Sequence, residues 1–185
     1  MCIRDSNRDD YIVERLECDS HDGQKIPMTI TYHKKTKIDG SAHVLLYGYG
    51  SYGSSMWPAF STSKFSLIDR DIIWVTCHIR GGMERGMKWW RDGKMMNKKN
   101  TFKDFISCAN FLIEKKYTSK KKIIAFGGSA GGLLVGNVVN QIPHLLLGAI
   151  MAVPFVDNLT TNMDHSLPLT VGAVSYTHLT LPTKA

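Results

Sequence analysis

Ser129 has the surroundings best suited to chemistry. It sits in Phe126-Gly127-Gly128-Ser129-Ala130-Gly131-Gly132, behind the apolar run Ile123 to Phe126 and ahead of a helical pattern over Ala130 to Val139. Gly-x-Ser-x-Gly between a strand and a helix is the pattern of a nucleophile elbow, a turn too sharp for bulky neighbours. It would project the Ser129 hydroxyl from the carboxyl edge of a sheet, and the helix N-terminus behind it favours developing negative charge. The chemistry is attack on a carbonyl carbon, with the Ala130 backbone N–H placed to donate to the oxyanion. A glycine-rich turn with a purely structural role would use the same residues.

A serine nucleophile needs a base and an orienting acid, which in this kind of sheet follow it in the order Ser, Asp/Glu, His. Only His144, His165 and His178 come after Ser129. His144 lies just past the elbow helix, His165 within one further strand, and His178 in an atypical tail. A base normally arrives several βα units later, so the chain is expected to hold a nucleophile without its base, and to be inert or nearly so by itself. Gly48-Tyr49-Gly50-Ser51-Tyr52-Gly53 matches a dinucleotide fingerprint after a strand. Pro58 would interrupt the first turns of the helix that such a fingerprint requires. There is no Gly-Lys-Ser/Thr phosphate loop and no zinc-type histidine spacing, so no cofactor and no metal are expected.

The elements that must position Ser129 are readable from periodicity. Lys25 to His33 alternates, with Ile26, Met28, Ile30 and Tyr32 on one face, and Tyr11 to Cys18 is its antiparallel partner through a His21-Asp22-Gly23 turn. Ala42 to Tyr47, Ile72 to Cys77, Ile123 to Phe126 and Gly148 to Val153 are near-continuous apolar runs, as in a parallel sheet covered on both faces. Phe102, Phe105, Ile106, Ala109, Leu112 and Ile113 form one helical stripe, with Thr101 and Asp104 resembling a capping box at its start. Two antiparallel strands followed by alternating strands and helices give an open α/β sheet.

Composition excludes several classes. The 185 residues are 43% hydrophobic and 21% charged, which is globular, and no apolar run approaches a membrane span. The formal charge of +7 is densest at Lys34-Lys35-Thr36-Lys37, Lys98-Lys99 and Lys120-Lys121-Lys122, at loops and element ends. No interleaved aromatics accompany them, so they read as solvated surface and nucleic acid is not an expected partner. Four cysteines (Cys2, Cys18, Cys77 and Cys108) without paired spacing, and no signal-peptide stretch, point to reduced thiols in a cytoplasmic protein.

Several further segments fall in a familiar order. They are Leu46 to Gly53, His78-Ile79-Arg80-Gly81-Gly82, Trp89-Trp90, Lys99 to Asp104, Gly127 to Gly132, Val153-Pro154-Phe155-Val156-Asp157 and Pro168-Leu169-Thr170. Over about residues 9 to 173 this series resembles the prolyl oligopeptidase family, most of all its oligopeptidase B branch. The resemblance implies the N-terminal part of an α/β-hydrolase catalytic domain, from a cytosolic serine peptidase that cleaves short peptides after Lys or Arg. It assigns the nucleophile to Ser129 and the oxyanion donors to the Tyr49 hydroxyl and the Ala130 N–H. Without the resemblance, Tyr49 reads as a packed loop aromatic. Arg80 reads equally as an ion-paired loop arginine or a substrate contact.

The departures are specific. The family's Asp and His would lie past this chain, and the glutamates that follow Pro-Leu-Thr in the oligopeptidase B branch are replaced by Val171 to Ser175. Residues 1–6 and 174–185 break the pattern and resemble translated sequencing adapter, with natural disordered termini as the alternative. Residues 7–173 are therefore read as a partial catalytic domain. Competing functions are an esterase, an acylaminoacyl or prolyl-type peptidase, and a non-catalytic interaction module on the same fold. Oligomeric state is not legible.

Overall fold

The computed structural model describes residues 7–57, 59–164 and 166. Sequence features at residues 1–6, at His165 and His178, and from Pro168 to Ala185 lie outside the described residues.

Two antiparallel strands open the chain, β1 (Tyr11–Asp19) and β2 (Lys25–His33), paired from Tyr11 with His33 to Asp19 with Lys25. The alternation predicted for β2 holds, since Ile26, Met28 and Ile30 are fully buried on one face. The rest is β3 (His43–Gly48), α1 (Thr62–Ile68), β4 (Ile72–Cys77), α2 (Met87–Arg91), α3 (Lys99–Glu114), β5 (Ile123–Gly128), α4 (Ala130–Gln141), β6 (Leu146–Ala152) and α5 (Asn158–Met163). Among the described residues six strands form one mixed sheet in the order β1-β2-β4-β3-β5-β6, with β3 to β6 parallel.

α3 and α4 cover one face of this sheet. Phe105, Cys108, Ala109 and Leu112 of α3, and Leu134, Val135 and Val138 of α4, pack at zero exposure against Ile26, Met28, Val44, Leu46, Ile73, Val75 and Ile123. The thiols of Cys18, Cys77 and Cys108 are buried in this layer, with Cys18 and Cys108 sulfurs 3.8 Å apart. The opposite face carries α1 and a smaller cluster of Leu45, Ile68 and Trp74, bordered by Tyr11, Tyr47 and Phe126.

Three expectations need correction. Thr101 and Asp104 are not a capping box: α3 begins earlier, at Lys99, with Lys98 at its N-cap. Both side chains are fully buried, and both turn toward Arg80. The last strand starts at Leu146 rather than Gly148 and is not covered on both faces among the described residues. After Leu146 every residue of β6 is exposed, Leu147 and Ile150 by about half.

Candidate active site

The sheet order puts the predicted nucleophile at a reversal of winding. From β3 the chain crosses to β4 on one side, then to β5 and β6 on the other. Loops leaving the carboxyl ends of β3 and β5 therefore diverge, and the crevice between them is where open α/β sheets bind ligands. Tyr47 pairs with Phe126 across these strands, so Tyr49 and Ser129 leave the sheet at nearly the same level.

Ser129 adopts φ 52° and ψ −114°, in the left-handed half of backbone space that costs a non-glycine residue about 1–3 kcal/mol. Its N–H donates to the Ala152 carbonyl at 2.8 Å, and its carbonyl accepts from Gly132 at 2.9 Å and Phe155 at 3.0 Å. The bonds to Ala152 at the end of β6 and to Phe155 in the loop beyond hold the strained turn, while Ser129 itself stays exposed to solvent. A side chain at Gly127 would run into the Gly131 carbonyl. One at Gly131 would lie 2.7 Å from the Gly48 carbonyl oxygen and 3.5 Å from Tyr49 Cα. Glycine at 131 thus lets the Tyr49 loop close onto the elbow.

Ala130 is buried at the first position of α4, in a small cluster with Tyr49, Leu133 and Phe155. The three predicted site residues therefore converge: Ser129 at the turn, Ala130 at the helix N-terminus, and half-buried Tyr49 from the neighbouring strand packed against Ala130. This arrangement can present a hydroxyl nucleophile beside a backbone donor at the positive end of a helix dipole.

Among the described residues no histidine is hydrogen-bonded or ion-paired to the serine. His144 is exposed and immediately precedes Leu145 and Leu146, whose partner Ile123 starts β5, so it lies at the sheet edge opposite Ser129. His78, just after β4, is buried; its Nε2 is hydrogen-bonded with Thr29 Oγ1 at 2.8 Å, while its Nδ1 has no hydrogen-bond partner and lies 3.6 Å from Glu84 Oε1. Among the described residues no group of three His, Cys, Asp or Glu side chains could hold a metal ion.

Arg80 is an ion-paired arginine. Its Nε and one terminal nitrogen reach Asp104 at 2.8 and 2.6 Å, and the other terminal nitrogen reaches Asp22 at 2.5 Å. Burial opposes its charge, but the two carboxylates outweigh burial and hold the guanidinium protonated. Through this cluster the β1–β2 turn, the segment after β4 and α3 become one unit beneath the Tyr49 loop. Sequence reasoning missed its buried acidic member. Asp104 shares the stripe of Phe105, Cys108 and Leu112, and that spacing was the available signal.

Comparison with known proteins decides the family. Residues 58–179 match the prolyl oligopeptidase family. The chain belongs to that family. It is 48% identical over 164 residues to "Protease 2" of Moraxella lacunata, covering 89% of this chain and 24% of that protein. It is 47% identical over 161 residues to "Dipeptidyl aminopeptidase BI" of Pseudoxanthomonas mexicana, covering 86% of this chain and 22% of that one. Among solved structures, oligopeptidase B from Leishmania major superposes with a TM-score of 0.88 at 44% identity, over 92% of this chain and 24% of that chain. The fold is therefore that of a prolyl oligopeptidase catalytic domain, an α/β hydrolase, and this chain spans under a quarter of the length of these relatives.

Proposed function

We propose that this chain is the nucleophile-bearing part of a cytoplasmic serine peptidase that hydrolyses short peptides after Lys or Arg through an acyl-enzyme on Ser129. The observation that carries the reading is the strained, exposed Ser129 at the β3/β5 crevice, with Tyr49 packed beside Ala130. In this scheme a histidine base takes the Ser129 proton as the oxygen bonds to the scissile carbonyl carbon. The carbonyl oxygen becomes an oxyanion held by the Ala130 N–H and the Tyr49 hydroxyl. The base then protonates the leaving amine as the C–N bond breaks, and water releases the acyl group by the same steps.

The base and its acid are assigned to polypeptide outside this chain, a view supported by the placement of His144 and the small share of the relatives that the chain spans. The chain alone should then be inert. Cleavage after Lys or Arg draws on the likeness to the Leishmania oligopeptidase B. Other relatives carry names that indicate different specificities, such as the prolyl endopeptidase of Elizabethkingia meningoseptica at 40% identity. The buried free thiols of Cys18, Cys77 and Cys108 support a reducing compartment.

The test is to express the full-length polypeptide containing this chain and assay peptides with Arg, Lys or Pro before the scissile bond, beside acyl esters. Arg and Lys substrates should be cleaved fastest, and Ser129→Ala should lower kcat by roughly 10⁴-fold or more. Hydrolysis of esters alone would overturn the peptidase reading. Activity that survives Ser129→Ala would overturn the assignment of the nucleophile.

A further inference from the structure

We propose that Lys98 is a positioning residue for the oxyanion site, holding the loop that carries Tyr49 by the Gly50 carbonyl and the Ser51 hydroxyl. This rests on reading Tyr49 as an oxyanion donor and adds the residue that fixes its place. Lys98 sits at the N-cap of α3 and is only 7% exposed. Its Nζ donates to the Gly50 carbonyl at 2.6 Å and the Ser51 hydroxyl at 2.8 Å. Burying a lysine head group is costly unless strong acceptors receive it, and here two such acceptors belong to the two residues that follow Tyr49.

The packing shows why that hold reaches Tyr49. Gly50 has φ 65°, and a side chain there would collide with Thr101 Cγ2 and lie 2.9 Å from Ile79 Cδ1. Its peptide is thus wedged between the first turn of α3 and the segment after β4. Farther along, the Gly53 N–H donates to the Gly81 carbonyl at 2.9 Å and the Met56 N–H to Glu84 Oε1 at 3.0 Å. On the other side Gly48 ends β3, with its carbonyl against Gly131. Tyr49 is therefore suspended between a sheet-bound peptide and the peptide that Lys98 holds. Releasing Gly50 frees the backbone that aims the ring over Ala130. A ring displaced by about 1 Å is enough to cost roughly 100-fold in rate when the group acts on the transition state.

The experiment compares wild type, Lys98→Met, Lys98→Arg, Tyr49→Phe and the double variant Tyr49→Phe/Lys98→Met in the full-length polypeptide. Steady-state kinetics are measured together with fluorine NMR of protein carrying 3-fluorotyrosine, the position-49 resonance being identified by its loss in Tyr49→Phe. Lys98→Met should lower kcat by about 10- to 100-fold with KM within about threefold of wild type, and should shift or broaden the Tyr49 resonance. Lys98→Arg should recover part of both. In the Tyr49→Phe background the same change should cost less than about twofold, because the group it positions has gone. An equal loss in both backgrounds, or an unmoved resonance, would overturn the inference. Where Lys98→Met does not fold, Ser51→Ala removes one of these acceptors and should show the same signs on a smaller scale. A wild type no more active than Ser129→Ala would sink the peptidase reading, while the fluorine resonance would still decide whether Lys98 holds the loop.

Discussion

The two faces of the sheet are built to different standards. On one, α3 with 16 residues and α4 with 12 seal β2 to β5, and the contact layer has zero exposure across Phe105, Leu112, Leu134 and Val138. On the other, the seven-residue α1 covers only part of the surface. Trp57 and Phe60 there are 82% and 72% exposed, and a groove of about 670 Å³ runs past Thr31, Phe65 and Trp74. The crevice residues belong to the sealed side: the Tyr49 loop rests on the start of α3, and Ser129 opens α4. The proposed site is thus supported by the part of the molecule that can resist movement, as a preorganised oxyanion pocket would require.

That contrast can be attacked by substitution. Asp104→Ala should be the most damaging, at about 3–5 kcal/mol, because it strands Arg80 as a buried charge with one fewer carboxylate. Phe105→Ala should cost a similar or slightly smaller amount, about 3–5 kcal/mol, by opening a cavity at zero exposure. Both are read from the urea midpoint, and a loss under about 1 kcal/mol for either would mean that this face is not sealed.

Lys98 gives a subtler probe. Burial pushes its amine from 10.5 down to about 7. Between those values the unfolded chain binds a proton that the folded chain does not, so stability rises with pH across that window. Lys98→Met removes the rise, and wild type should gain roughly 2 kcal/mol on the variant between pH 7 and pH 9. Parallel pH profiles would mean that Lys98 stays charged. The smallest effect belongs to the open face, where Phe60→Ser should change stability by less than about 0.5 kcal/mol. If it instead matched Phe105→Ala, the distinction between the faces would collapse.

Much of the fold was legible because its strands are written in apolar runs bounded by glycine or charge. β2 alternates and β5 ends in the elbow, and periodicity reports both directly. The order of strands was not legible, because β4 slips between β2 and β3 through contacts that no local pattern encodes. That order is what brings Tyr49 beside Ala130, so candidate residues could be proposed from the sequence but their convergence could not. Asp104 and Lys98 were misread for a related reason. Polar residues at a helix start suggest caps and solvated surface, and only the packed structure shows them turned inward on Arg80 and the Gly50 peptide.

The three thiols of the sealed face offer a clock. Cys18, Cys77 and Cys108 are each at most 3% exposed, and the thiols of Cys18 and Cys108 are held in their protonated, unreactive form. An alkylating reagent can reach them only when α3 lifts from the strands. Their labelling rate should therefore count how often the platform under Ser129 and Tyr49 comes apart, residue by residue and without any substrate.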